Sequence, residues 1–257
     1  MLIFISPAKS LEWNRTIPFE EKTLPVFLKE TTPIVKVLKK MSVSKIKKTF
    51  DLSDKLAELN YNRFQKLGMI DSIEMARPAI FSFDGDVYTG FDAFSLQQES
   101  LFKTQEQLRI LSGLYGVLKP LDEIEPYRLE MGSSISWGKY KNLYDYWKPK
   151  VTKWISDELD SHQEKTLINL ASQEYFNVID RKKLGHPILD VEFLEDKGTK
   201  MQNVSFFSKK ARGTMARYIL DYNLKIANEL KGFDLDGYSY HTHLSLDHKF
   251  VFTRKSS

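Results

Sequence analysis

Ten polar side chains of this 257-residue sequence have the types and spacing of a ligand-binding or reactive site: Ser6, Lys9, Ser112, Tyr115, Tyr127, Arg128, Glu130, Asn169, Ser172 and Tyr175. They fall just after, or within about twenty residues of, three short apolar runs, LIFIS at 2–6, RILS at 109–112 and the run at 166–170 that leads into Ala171-Ser172. In sheets built with helical crossovers, the carboxyl ends of neighbouring strands form the crevice that holds ligands, so three such strands side by side would make one pocket. Within it Arg128 offers a planar fork of donors suited to phosphate or carboxylate. Glu130 is the best-placed general acid or base, with Tyr115 as a further candidate. The competing structural role for Arg128 is an ion pair with Glu130 or Asp122 that holds the loop down.

Two basic groups lie elsewhere. Lys45, Lys47, Lys48 and Lys55 surround the joint between two helical patterns, 44–49 and 54–66. The run SKKARGTMAR, 208–217, follows a strand-like segment. With Ser208 as helix cap, Lys209, Lys210 and Arg212 would occupy a first turn, where cations oppose the macrodipole and an anion such as phosphate is expected nearby. Arg217 would extend the same face. His241, His243 and His248, with Asp247, have the residue types of a metal site, but exposed histidines among turn formers are ordinary, and no metal or cofactor is expected.

Composition narrows the chemistry. Without cysteine there are no disulfides, thiolate metal sites or thiol catalysis. A formal charge of +4 permits an anionic partner without demanding one. No apolar stretch approaches the roughly 20 residues needed to span a bilayer, so no membrane partner is expected and a cytoplasmic location is. The sequence contains no GxxxxGK[ST], GxGxxG, GxSxG or HExxH, and the corresponding nucleotide-binding and hydrolytic templates fail.

The elements that must position these residues follow from periodicity. Helices are expected over about 33–41, 44–49, 54–66, 97–108, 142–162 and 209–230, with Ser53 as a cap. Strands are expected at 2–6, 109–112, 166–170, 188–195, 201–207, 237–242 and 249–253. PAIFSFDGDVYTGF, 78–91, has strand composition, with Asp84-Gly85-Asp86 as a tight turn. The irregular mixture predicts an α+β (mixed) fold, one compact domain over residues 1–257 with a central mixed sheet flanked by helices. The segment LSGLYGVLKPLDEIEPYRLEMG, 111–132, interleaves turn residues with apolar ones and must be held against the core.

The motifs ISPAKSL, SDKLAELNYNRF, GDVYTG, LSGLYGVLKPLDEIEPYRLEMG, NLASQEYF and VSFFSKKARGTMARYI together resemble, in order and spacing, the YaaA family of bacterial peroxide-stress proteins. The resemblance runs from residue 1 to about 253. It implies a cytosolic protein, without recognised enzymatic activity, that binds DNA and helps limit iron and peroxide damage. It further implies a helix-hairpin-helix-like element, here about 44–66, and a positively charged cleft drawing on Lys9, Arg128, Lys209, Lys210 and Arg212. The hairpin Phe50-Asp51-Leu52-Ser53 has no glycine, so its lysines would carry the phosphate contacts, independent of base sequence. A monomer is expected. The alternative is an enzyme acting on a nucleotide, nucleobase or nucleic acid in a pocket formed by segments 6–9, 112–130 and 169–175.

Overall fold

A computed structural model describes residues 1–68 and 76–255. The first apolar run is buried at every residue and forms β1 (Leu2–Ile5), after which Pro7 stops the strand and a two-residue β2 (Ser10–Leu11) follows. Three amphipathic helices come next: α1 (Thr32–Lys39), with proline in its first turn, α2 (Val43–Phe50) and α3 (Asp54–Lys66). A compact segment supplies β3 (Arg77–Pro78), α4 (Ala79–Ser82), β4 (Phe83–Asp84) and α5 (Asp86–Phe91), and α6 (Gln98–Gln107) leads into β5 (Leu108–Ser112). The 111–132 segment then contributes β6 (Gly116–Leu118) and β7 (Glu123–Ile124). The remaining elements are α7 (Leu143–Asp160), β8 (Leu167–Asn169), α8 (Gln173–Phe176), β9 (Ile188–Asp196), β10 (Met201–Gln202), α9 (Ser205–Asp221), β11 (Ser239–Tyr240) and β12 (Lys249–Lys255).

The main sheet runs β11-β12-β9-β8-β1-β5-β6, with β10 paired to β9. Strands β12, β9, β8, β1 and β5 are parallel, while β11, β6 and β10 are antiparallel additions, so the sheet is mixed and flanked by helices, as the sequence predicts. β1 lies centrally between β8 and β5, in register Phe4↔Asn169 and Ile5↔Ile110. Because the chain leaves β1 towards one side and later returns on the other, the carboxyl end of β1 is where strand order reverses. Phe4, Trp147, Phe193 and Phe252 are fully buried in the core against this sheet.

Two expectations fail. Residues 78–91 are not a strand hairpin; Pro78 ends β3, Phe83–Asp84 is extended and pairs with β2, and Ala79–Ser82 and Asp86–Phe91 are helical. Its strand-like residues reflect burial, since Ala79 to Phe83 are all buried, while Asp86 in the first turn suits a helix start and Asp92 in the left-handed region ends it. Likewise the strand expected at 201–207 stops at Gln202, and α9 begins at Ser205 and ends at Asp221, well before Leu230. Ser208 is therefore not a cap. It sits buried in the helix, its backbone N–H bonded to the Val204 carbonyl, and its hydroxyl accepts from Asn203 Nδ2 at 3.2 Å.

Candidate functional site

The three strand ends anticipated as one crevice are neighbours. At the carboxyl end of β1, the Ser6 hydroxyl accepts from the Ser172 backbone N–H at 2.8 Å and donates to the Ser172 hydroxyl at 3.3 Å, fastening β1 to the turn after β8. The Ser6 carbonyl accepts from the Tyr88 hydroxyl at 3.2 Å. On the other side, Ser112 at the end of β5 accepts from the Tyr115 backbone N–H at 2.9 Å and shares a 2.6 Å hydrogen bond with the Tyr127 hydroxyl. The Tyr115 hydroxyl accepts from the Glu125 N–H, and the Trp147 indole donates to the Gly113 carbonyl at 2.9 Å. These bonds account for the odd composition of 111–132: its turn residues carry the chain across the strand ends while its leucines and tyrosines pack beneath. Burial holds Tyr88, Tyr115, Tyr127 and Tyr175 well above the ordinary phenol pKa, so these hydroxyls stay protonated at neutral pH.

Above this layer lie the charged members. Glu130 Oε1 is 3.3 Å from Lys9 Nζ and 3.2 Å from an Arg128 terminal nitrogen. Arg128 is thus spent on Glu130, the structural alternative, and not on Asp122, which accepts from the Thr23 hydroxyl at 2.6 Å and the Lys119 backbone N–H at 2.8 Å. Glu130 Oε2 is buried with no hydrogen-bond partner among the described residues. Pro7, Ala8, Phe83, Tyr127 and Tyr175 complete a cavity of about 10 Å³ beside this pair, roughly the room of one water. Asn169 accepts from the Ala171 N–H at 3.0 Å and donates to Asp190 Oδ1 at 2.7 Å, and Asp190 is held by both terminal nitrogens of Arg181. Tyr88 and Phe83 escaped sequence reasoning; the only available signal was GDVYTG, which reads as strand.

The basic groups divide. In the α2–α3 hairpin, Ser42 and Ser53 cap their helices by accepting from the N–H groups of Lys45 and Leu56, as expected for Ser53. Asp51 turns the chain in the left-handed conformation at φ 49°, a role a glycine often fills. Ile46, Phe50, Ala57 and Phe64 bury the inner face, with the Phe50 and Phe64 rings edge to face. Lys45, Lys48 and Lys55 stay exposed, whereas Lys47 pairs with Asp54 at 2.7 Å.

On α9, which starts at Ser205, the basic run lies beyond the first turn, where the free N–H groups and the macrodipole that would favour an anion are absent. Lys209 is exposed, and Lys210 lies 3.5 Å from Asp236. Arg217 binds Asp221, the Phe91 and Asp92 carbonyls and Ser95, closing the end of α5 and fixing the helix–helix joint. Arg212 is largely buried, which lowers its pKa, and its Nε has no partner among the described residues. His241 Nδ1 accepts from the Leu244 N–H at 3.3 Å, and among the described residues no group of three or more histidines and acids is placed to hold a metal.

A cavity of about 490 Å³ lies around Arg109, Glu158 and His162 at the amino end of the parallel strands, away from these groups. Among the described residues, no helix is long and apolar enough to cross a membrane.

Comparison with known proteins agrees with the motif order. The family model described as peroxide stress protein YaaA matches residues 1–244. A UPF0246 protein of Flavobacterium johnsoniae is 47% identical over 254 residues, covering 99% of this chain and 100% of the relative. UPF0246 proteins of Flavobacterium psychrophilum and Hahella chejuensis are each 46% identical, again over 99% of this chain and 100% and 99% of theirs. With a match of this length and identity, the chain belongs to the peroxide stress protein YaaA family.

Proposed function

We propose that this family member is a cytoplasmic, monomeric DNA-binding protein that limits iron and peroxide damage, gripping phosphates through the α2–α3 hairpin without reading base sequence. One observation supports the reading above the rest: Lys45, Lys48 and Lys55 are all exposed around a joint whose second helix is capped by Ser53. Such a joint presents cations beside the free N–H groups of a helix start, which suits a phosphate oxygen. The test is a salt titration of binding to a labelled duplex by fluorescence anisotropy. The wild-type affinity falls with salt, and changing Lys45, Lys48 and Lys55 to Gln together weakens binding and flattens the salt slope. Absent or salt-insensitive binding by the wild type sinks the reading.

A second reading, an enzyme acting on a nucleotide, nucleobase or nucleic acid at the strand ends, is favoured by the bare, buried Oε2 of Glu130 beside a cavity. A Glu130→Gln variant separates the two. A DNA binder keeps its duplex affinity and still protects peroxide-treated cells, whereas loss of protection at unchanged stability and affinity supports catalysis. The small cavity means that a substrate could enter only if the Lys9–Glu130–Arg128 bridge opened.

A further inference from the structure

The hairpin helix leads to a second feature. On α3, Lys55, Leu59, Asn62 and Lys66 stand at i, i+4, i+7 and i+11, one continuous stripe about 16 Å long. The far half of that stripe, with Arg63 and Leu67, forms one wall of a cavity of about 310 Å³, and Trp13, Glu125 and Pro126 form the other. That volume lies at the low end of small-ligand sites, roughly 300–1,000 Å³, suited to one flat ring system.

The walls are locked in advance. Arg77 donates to the Trp13 carbonyl at 3.0 Å and the Arg15 carbonyl at 2.6 Å, and its guanidinium lies 5.7 Å from the centre of the Trp13 ring. The same arginine belongs to β3, which pairs with β7 immediately before Glu125 and Pro126. Trp13 and the Glu125–Pro126 wall are therefore tied to one small sheet. Glu125 is itself engaged, accepting from the Gly68 N–H at 2.9 Å. Arg63 is half-buried at the cavity and makes no ion pair with any described residue. Burial lowers its pKa, yet a guanidinium remains charged at neutral pH.

We infer that this cavity seats one unpaired nucleobase of the DNA strand held by the hairpin, the base stacking on Trp13 and its flanking phosphates meeting Arg63 and Lys66. The inference rests on the DNA-binding reading. An aromatic ring with apolar walls takes any base by its face, cations at the rim match the adjoining phosphates, and the exposed Asn62 carboxamide can reach a base edge. The stripe from Lys55 is the track along which the strand arrives, so the pocket extends the hairpin surface and makes it a receptor for frayed or single-stranded segments.

The test measures binding of the full chain to a labelled oligothymidine, to an oligomer of equal length lacking its bases, and to a fully paired duplex. The expected results are base-dependent single-strand binding, weakened roughly tenfold by Trp13→Ala and partly restored by Trp13→Phe, with duplex affinity unchanged within about twofold. Arg63→Gln weakens single-strand binding as well. Equal binding of oligothymidine and the base-free oligomer, or an unaffected Trp13→Ala variant, overturns the inference and leaves the duplex reading standing. Absence of binding to all three probes overturns both. Trp13 is only half-buried, and circular dichroism of each variant checks that the fold is retained.

Discussion

At the scale of single residues, the strand ends show how burial changes what a side chain can do. Arg128 and Glu130 have the types of an anion receptor and an acid–base pair, but at 3.2 Å Arg128 is engaged by Glu130 Oε1, and Lys9 joins the same oxygen from the solvent side. Their side-chain chemistry was legible in the sequence; their mutual pairing was only one of two options, because sequence spacing does not say which acid an arginine meets. Asp122 was the other option. It is nearly fully buried, and burial raises its carboxyl pKa to about 6, against the opposing pull of the Thr23 and Lys119 hydrogen bonds. The folded state thus holds this proton more tightly than the unfolded chain. Its contribution to stability is present below the ordinary aspartate value of 3.8 and is lost as pH rises through about 6. Replacing Asp122 with asparagine removes that dependence. Urea unfolding at about pH 4 and about pH 7 should show the wild type losing stability relative to Asp122→Asn, by on the order of 2–3 kcal/mol across the interval.

At the scale of elements, what was legible was local. The 54–66 helix and its Ser53 cap rest on a short-range period and one hydroxyl, and the three apolar runs that became β1, β5 and β8 needed only a few residues each. The segment 78–91 was illegible for a tertiary reason. α5 crosses α9 so closely that a Cβ on Gly90 would stand 2.1 Å from the Lys210 carbonyl oxygen, and one on Gly213 would stand 1.8 Å from that of Val87. Six residues are too few for α5 to show a helical period, and Ala79 to Phe83 before it are buried on every side, which removes the amphipathic pattern that announces a helix. Gly213, in the middle of the basic run, is the contact point. Gly213→Ala forces the two backbones apart and should cost about 3 kcal/mol or more, read as a lowered urea midpoint with the denaturant slope retained. Since Arg217 reaches across the same joint to Phe91 and Asp92, the substitution also strains those bonds.

At the scale of the whole molecule, a net charge of +4 on 257 residues is too small for the overall field to draw in nucleic acid unaided. On the proposed reading, affinity for DNA has to come from local clustering, and each phosphate neutralised contributes about 0.9 to the salt slope. The Lys45, Lys48 and Lys55 variant should accordingly lower the slope by about 2.7 if all three make contact, whereas charge reversal at scattered exposed lysines should alter it little. The strand-end crevice and the hairpin are separate in this respect, since the charges at the former largely cancel within the Lys9–Glu130–Arg128 bridge.

The central position of β1 has a consequence for how the protein is made. Leu2–Ile5 is synthesised early, yet its partners in the sheet are Leu108–Ile110 and Leu167–Asn169. At about 5–20 residues per second, a ribosome delivers the second partner roughly ten to thirty seconds after the first strand has emerged. Until then one edge of a fully apolar strand stays unpaired, and before Leu108–Ile110 emerges both do, so slowed elongation before residue 170 should favour aggregation over folding.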